Sequence, residues 1–222
     1  MNSKAVILST KTLSDVQRQK MIVAGFELFE EDFIATKKQA YELHNINDNL
    51  IFTSQNAAQQ ILENSNIDNL KTKNVFCVGL KTKILLSEAG FNVVAYTSYA
   101  SDLAEIIALI YGRESYTFFS GNLRKETLPN ALKEAGIAFN EIQVYETILT
   151  PCKILEKLEG ILFFSPSGVE SYLKNNVIKK ENCFCIGETT AEALEKHKIK
   201  NIIVADEPTI ESVIEDVIAE YE

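Results

Sequence analysis

Histidine is almost missing from this 222-residue chain, which carries only His44 and His197, both in polar surroundings. That scarcity removes zinc-type ligand spacings and leaves no Ser-His-acid combination for nucleophilic catalysis. No G-x-G-x-x-G follows the first apolar run and no P-loop lysine pattern occurs, which argues against a nucleotide cofactor. Cations are outnumbered, 22 Lys and Arg against 31 Asp and Glu, so the basic footprint of a non-specific nucleic-acid binder is lacking. No apolar run reaches the length of a membrane span. The opening Met-Asn-Ser-Lys leads into Ala5-Val6-Ile7-Leu8, which is too short for a signal peptide. These absences together predict a soluble cytoplasmic protein with no metal, no cofactor, and neither nucleic acid nor membrane as a partner. Nothing in the chain calls for an oligomer, so a monomer is expected. Of the four cysteines, Cys77, Cys183 and Cys185 lie in apolar strand-like runs. All four are read as reduced thiols, with Cys183 and Cys185 on one sheet face because strand side chains alternate.

What the chain does have is a core and a repeat. Hydrophobic residues make up 46% and charged residues 24%, ordinary globular values, and 222 residues suit one large domain or two small ones. The stretch Phe163-Phe164-Ser165-Pro166-Ser167-Gly168-Val169 ends a short apolar strand in a polar turn. It opens a helix whose buried face is marked by Val169, Tyr172 and Leu173. A weaker copy, Ile51-Phe52-Thr53-Ser54-Gln55-Asn56-Ala57, places Ser54 111 positions before Ser165, half the chain length. Ser9/Ser120, Gly25/Gly136 and Thr36/Thr147 keep the same spacing, and Gly79/Gly187 follow at 108. The chain reads as an internal duplication.

Strands alternate with helices throughout, and most strands are apolar on both faces, the pattern of parallel sheets covered on both sides. The expected fold is α/β: two parallel-sheet domains with Ser/Thr/Gly turns along one edge of each, facing a shared cleft. Two partitions are compatible with periodicity. A tandem would be cut near Gly112. Alternatively, the extended segments Phe26–Thr36 and Ile137–Thr147 cross between domains, one of which is then discontinuous.

Candidate ligand groups gather at the strand-to-helix turns, where free helix N–H groups converge. Ser54, Asn56, Ser165, Ser167 and Gly168 lie in the two paired turns. Thr82 follows Gly79, and Thr189 and Thr190 follow Gly187. Each hydroxyl either meets a ligand or merely caps its helix. The turn Gly121-Asn122-Leu123-Arg124-Lys125-Glu126 offers a glycine, a helix start and two cations, either an anion site or an ordinary solvated helix start. Tyr145, at the end of an extended segment, either offers its phenol as a donor and weak acid or packs as an aromatic on a strand face.

Six stretches in register carry a resemblance: Phe52-Thr53-Ser54-Gln55-Asn56-Ala57, Val78-Gly79-Leu80-Lys81-Thr82, Ser120-Gly121-Asn122-Leu123-Arg124-Lys125-Glu126-Thr127-Leu128-Pro129, Val144-Tyr145-Glu146-Thr147, Phe163-Phe164-Ser165-Pro166-Ser167-Gly168 and Ile186-Gly187-Glu188-Thr189-Thr190-Ala191. The chain resembles the uroporphyrinogen-III synthase family, along nearly its whole length. That resemblance implies the discontinuous partition, residues 1–36 with 148–222 around an inserted domain 37–147, joined by a two-stranded extended linker. It implies a cyclising hydro-lyase of heme biosynthesis that needs no cofactor and acts on a linear tetrapyrrole, hydroxymethylbilane. The substrate loses its terminal hydroxyl as water, ring D attacks through its substituted carbon, and a spiro intermediate re-closes with ring D inverted. Tyr145 matches the family tyrosine thought to assist loss of the hydroxyl. Ser54, Asn56, Thr82, Gly121, Asn122, Ser165, Ser167, Gly168, Thr189 and Thr190 fall where the substrate would be bound. Lys11 and Lys83 depart from the usual residues at their positions, and Lys for Arg loses bidentate pairing. The rival class is a non-catalytic cleft protein that binds a tetrapyrrole or another anion.

Overall fold

The computed structural model describes residues 5–222. Along them run β1 (Val6–Ser9), α1 (Asp15–Val23), β2 (Glu27–Glu30), β3 (Ile34–Lys38), β4 (Asn49–Phe52), α2 (Gln55–Leu62), α3 (Ile67–Lys71), β5 (Asn74–Val78), α4 (Leu80–Glu88), β6 (Asn92–Thr97), α5 (Ala100–Ile110) and β7 (Tyr116–Gly121). They continue with α6 (Thr127–Glu134), β8 (Phe139–Leu149), β9 (Gly160–Phe163), α7 (Pro166–Asn175), β10 (Asn182–Cys185), α8 (Glu188–Lys196), β11 (Ile202–Val204) and α9 (Ile210–Tyr221). The chain divides into two compact units, one holding the described residues through Ala35 with Ile148–Glu222, the other Thr36–Thr147.

In the first unit a five-stranded sheet has the order β11-β10-β9-β1-β2, and its ladders are parallel. Alternation along each strand feeds two cores. Leu8, Ile161, Phe163, Cys183 and Cys185 point to one face, where they meet Val169 and Tyr172 of α7 and Leu194 of α8. Ile7, Leu162 and Phe184 point to the other, against Met21 of α1 and Val213, Ile214 and Val217 of α9. Strands buried on both faces need apolar residues at every position, so they read as unbroken apolar runs. Helix α1 starts at a capping box in which Ser14 accepts from the Gln17 N–H and the Gln17 side chain bonds back to the Ser14 N–H.

The second unit has a six-stranded sheet of order β3-β8-β7-β4-β5-β6, in which the β8-β7-β4-β5-β6 ladders are parallel. Leu50, Phe52, Val75, Cys77 and Phe119 pack under α2 and α4, with Phe52 stacked on Phe119 at 5.1 Å. Ile51, Phe76, Tyr116 and Phe118 pack under Leu103 and Ile107 of α5 and Leu128 and Leu132 of α6. Matched by sequence position to the first unit, β8, β7, β4, β5 and β6 stand in the same order as β2, β1, β9, β10 and β11.

Two local expectations are corrected. Phe26–Thr36 is not continuously extended: the chain leaves the sheet after Glu30 as Phe33 turns into the core, fully buried, its ring 5.3 Å from Tyr172. Asp32 anchors that bend by accepting from the Thr12 N–H at 2.7 Å. The five-residue helix α3 was not anticipated; it is too short for a periodic apolar stripe. The four cysteines are free, and burial pushes the thiols of Cys183 and Cys185 up to about 12. No helix among the described residues is long and apolar enough to cross a membrane.

Candidate functional site

In the second unit β4 lies in register between β5 and β7, with Phe52 beside both Cys77 and Phe119. Parallel strands end on one edge of the sheet, so the turns beginning at Thr53, Gly79 and Gly121 all emerge there. Ser54 leaves β4 in an extended conformation and caps α2, its Oγ accepting from the Ala57 N–H at 3.1 Å. The same Oγ lies 3.1 Å from the phenol oxygen of Tyr145.

Tyr145 reaches that position through a slip in the β7/β8 ladder. Ser120 pairs with Gln143, but Gly121 pairs with Tyr145, so one residue of β8 is passed over. Such a bulge re-aims the side chain beyond it. The Tyr145 ring settles directly on Gly121: a Cβ there would stand 2.3 Å from Tyr145 Cζ and 2.6 and 2.7 Å from its Cε atoms. Gly121 is therefore the seat of the tyrosine, and Ser54 holds the hydroxyl end.

Two further residues of that turn, Asn122 and Arg124, are engaged with β8. Both ends of the Asn122 amide bond the backbone of Thr147, accepting from its N–H at 2.8 Å and donating to its carbonyl at 3.2 Å. Arg124 pairs with Glu141 at 2.7 and 2.9 Å and with Glu126. Burial opposes the charge on Glu141, but hydrogen bonds from Arg124 and Ser120 outweigh it and lower the carboxyl's pKa. Of the two readings of this turn, the structure favours a self-satisfied helix start: Arg124 is spent on carboxylates, while Lys125 stays exposed.

Helix-capping is corrected at the threonines. The cap position of α4 is Gly79, in the left-handed backbone at φ +90°, and α8 is capped by Gly187; neither helix has a side-chain cap. Thr82 and Thr190 stand three residues further on, in the first turn, 3% and 1% exposed. Their hydroxyls have no hydrogen-bond partner among the described residues. Neither oxygen is among the buried atoms left without a partner, so each hydroxyl reaches solvent at the helix start and is open to water or a ligand group. Thr189 beside Thr190 is exposed, and Asn56, second residue of α2, is half-buried with no partner among the described residues. Lys83 lies with its ammonium 4.3 Å from the Tyr96 ring centroid, a cation–π contact.

The first unit repeats the serine arrangement. Ser165 caps α7 by accepting from the Gly168 N–H at 3.1 Å, and its Oγ lies 3.1 Å from that of Ser167. Pro166 fills the first helical position, where no N–H is missed. Gly168 packs beside Thr10, whose hydroxyl donates to the Leu162 carbonyl at 2.7 Å. Lys11 is exposed, and its carbonyl accepts from the Ser9 hydroxyl at 2.5 Å.

The structure thus brings Tyr145, Ser54 and Gly121 into one constellation and Ser165, Ser167 and Gly168 into another. A family model described as uroporphyrinogen-III synthase HemD matches residues 19–215. The chain belongs to the uroporphyrinogen-III synthase family. A uroporphyrinogen-III synthase of Chlorobaculum parvum is 25% identical over 179 residues, 71% of this chain and 73% of the relative. Among solved structures, the uroporphyrinogen-III synthetase of Helicobacter pylori superimposes with a TM-score of 0.76 at 19% identity, covering 98% of this chain and all of the other. A mutant uroporphyrinogen III synthase of Thermus thermophilus gives 0.69 at 16% identity, with coverage of 98% and 100%. At such identities these two speak for the α/β fold with parallel sheets.

Sequence reading missed two residues that support these turns in this uroporphyrinogen-III synthase family member. Glu141, on β8, immobilises the Gly121–Glu126 turn, and no helical spacing links it to Arg124. Thr10 buttresses the α7 cap, and only its neighbour Ser9 stood out by repeat spacing.

Proposed function

We propose that this chain is the cyclising lyase its family membership points to, converting hydroxymethylbilane to uroporphyrinogen III with loss of water. The observation that carries this reading is the held phenol: Tyr145, seated on Gly121 and bonded to Ser54, is the one candidate proton donor gripped at both ring and hydroxyl. In the step assigned to it, the C–O bond of the terminal hydroxymethyl group breaks with its electron pair on oxygen. That oxygen takes the Tyr145 proton and leaves as water. The cation left behind makes its pyrrolic N–H acidic, and loss of that proton gives the azafulvene and restores the phenol. Ring D then attacks through its substituted carbon, and opening of the spiro intermediate inverts it.

The substrate's acetate and propionate arms need donors rather than a large positive field. The unpartnered hydroxyls of Thr82 and Thr190 and the uncapped N–H groups of α4 and α8 supply them, with Ser165, Ser167, Gly168, Thr189 and Asn56 as further contacts. This accords with a net charge of −9. The remaining task is conformational: to hold the chain so that the spiro route outruns spontaneous closure to the symmetric isomer. We read the two compact units as the two domains of the duplication, the first discontinuous around the second.

The test is direct. Hydroxymethylbilane is generated in situ, the protein is added, the product is oxidised, and the porphyrin isomers are separated. Isomer III is expected to predominate. A folded protein that leaves isomer I predominant overturns the assignment.

A further inference from the structure

We infer that Ser54 is the positioning residue of the proton donor, its hydroxyl donating to the phenol oxygen of Tyr145 so that the tyrosine proton stays free for the substrate. This rests on the reading of Tyr145 as the donor.

The direction follows from counting protons and lone pairs. The 3.1 Å contact between the two oxygens allows either to donate. A serine hydroxyl has one proton and two acceptor sites. One acceptor site of Ser54 is taken by the Ala57 N–H. Its proton has no acceptor among the described residues other than Tyr145, since these two bonds are all that the Ser54 hydroxyl makes there. If Tyr145 donated to Ser54, the half-buried serine would have to give its proton to solvent, and the phenol proton would be turned away from any substrate. If Ser54 donates, its proton and one of its acceptor sites are both used within the protein, and the proton of Tyr145 remains to be given.

The resulting chain runs from the Ala57 N–H through the Ser54 O–H to the Tyr145 oxygen. Successive hydrogen bonds polarise one another, so the helix bond on Ser54 strengthens its donation. The negative charge that develops on the phenol oxygen as its proton leaves then falls at the N-terminal turn of α2, where the helix favours an anion. Only the Tyr145 proton moves; Ser54 and Ala57 keep theirs. The cap and the catalytic contact are thus made by one oxygen atom, which ties the orientation of the phenol to the helix start. Gly121 fixes where the ring lies, and Ser54 fixes where its hydroxyl points.

A double-mutant cycle tests this. Ser54→Ala is expected to lower kcat about threefold to tenfold with KM changed less than about twofold, the size of one lost neutral hydrogen bond. Ser54→Thr, which keeps both the cap and the hydroxyl, is expected to restore kcat. In a Tyr145→Phe background Ser54→Ala should cost nothing more, because its target is gone. Equal losses in both backgrounds would show that Ser54 acts on the substrate or through α2, and would overturn the inference. A second readout does not depend on turnover. With 3-fluorotyrosine placed at position 145, the fluorine resonance should shift in Ser54→Ala and return in Ser54→Thr; an unmoved resonance overturns the contact itself. Should the unmodified protein fail to make isomer III, the assignment of the reaction falls, while the resonance still reports on the pair.

Discussion

Replacing Gly121 by alanine tests the seat of Tyr145 with a single methyl group. The new Cβ would lie 2.3 Å from Cζ of the ring and 2.6 and 2.7 Å from the two Cε atoms. Carbon atoms rest at about 3.5–4.0 Å, so the ring has to retreat by about 1 Å or more. The backbone raises no separate obstacle, because Gly121 is not among the glycines at positive φ. Tyr145 is only half-buried, so the ring has room to swing outward, away from Ser54. Where overpacking is not relieved it costs about 1–3 kcal/mol. The larger effect is on the chemistry: misplacing a reacting group by about 1 Å costs on the order of 100-fold. The expected outcome is a kcat for isomer III formation about 100-fold lower, with a thermal midpoint reduced by only several degrees. Gly136→Ala is the matched control. It strains a residue at φ +69° with nothing within 4 Å of the new Cβ, so it should lower the midpoint and leave kcat intact. A folded Gly121→Ala protein turning over within threefold of the original would refute the seat.

Tyr145→Phe keeps the ring on Gly121 and removes only the proton, so kcat should fall by about 10²–10⁴-fold while product affinity, read by fluorescence titration, stays within about threefold. Thr82→Val and Thr190→Val delete hydroxyls that have no protein partner; urea unfolding should show no loss of stability, whereas KM should rise about threefold to tenfold for each. Glu141 has a folded pKa below its ordinary value, so its contribution is complete above the unfolded carboxyl pKa of about 4.3 and is lost as pH falls through the lower folded value. Glu141→Gln should therefore lower the melting temperature at pH 7 and flatten its decline on acidification below about pH 4.5, as followed by circular dichroism across pH.

The sheets were legible because parallel strands buried on both faces leave uninterrupted apolar runs, as in Ile161–Phe163 and Phe118–Phe119. Ser54 and Ser165 were legible as turn residues, and each caps its helix. At Thr82 and Thr190 the letters left capping and ligand contact both open; glycine takes the cap and the threonine sits a turn inward, and nothing in a Gly-x-x-Thr string says which residue starts the helix. Tyr145, Gly121 and Ser54 each stood out as candidates, but their meeting did not. The one-residue slip that sets it on Gly121 belongs to the register between two strands, and register depends on contacts 24 residues apart rather than on either strand's own pattern. Arg124 looked like a free cation for the same reason, since Glu141 reaches it only once β7 and β8 have paired.

The order β11-β10-β9-β1-β2 has a consequence for how the chain is made. Strand β1 leaves the ribosome well before one of its two neighbours, β9, which begins only at Gly160. At about 5–20 residues per second, Ile7 and Leu8 wait on the order of 10–30 s for the strand that completes their ladder. Meanwhile Thr36–Thr147 has emerged as an uninterrupted stretch holding its own sheet, and is able to fold. The unit whose first strand comes earlier is thus the last to close, and for that interval β1, an interior strand of the finished sheet, is an open apolar edge of the kind that chaperones cover and neighbouring chains invade.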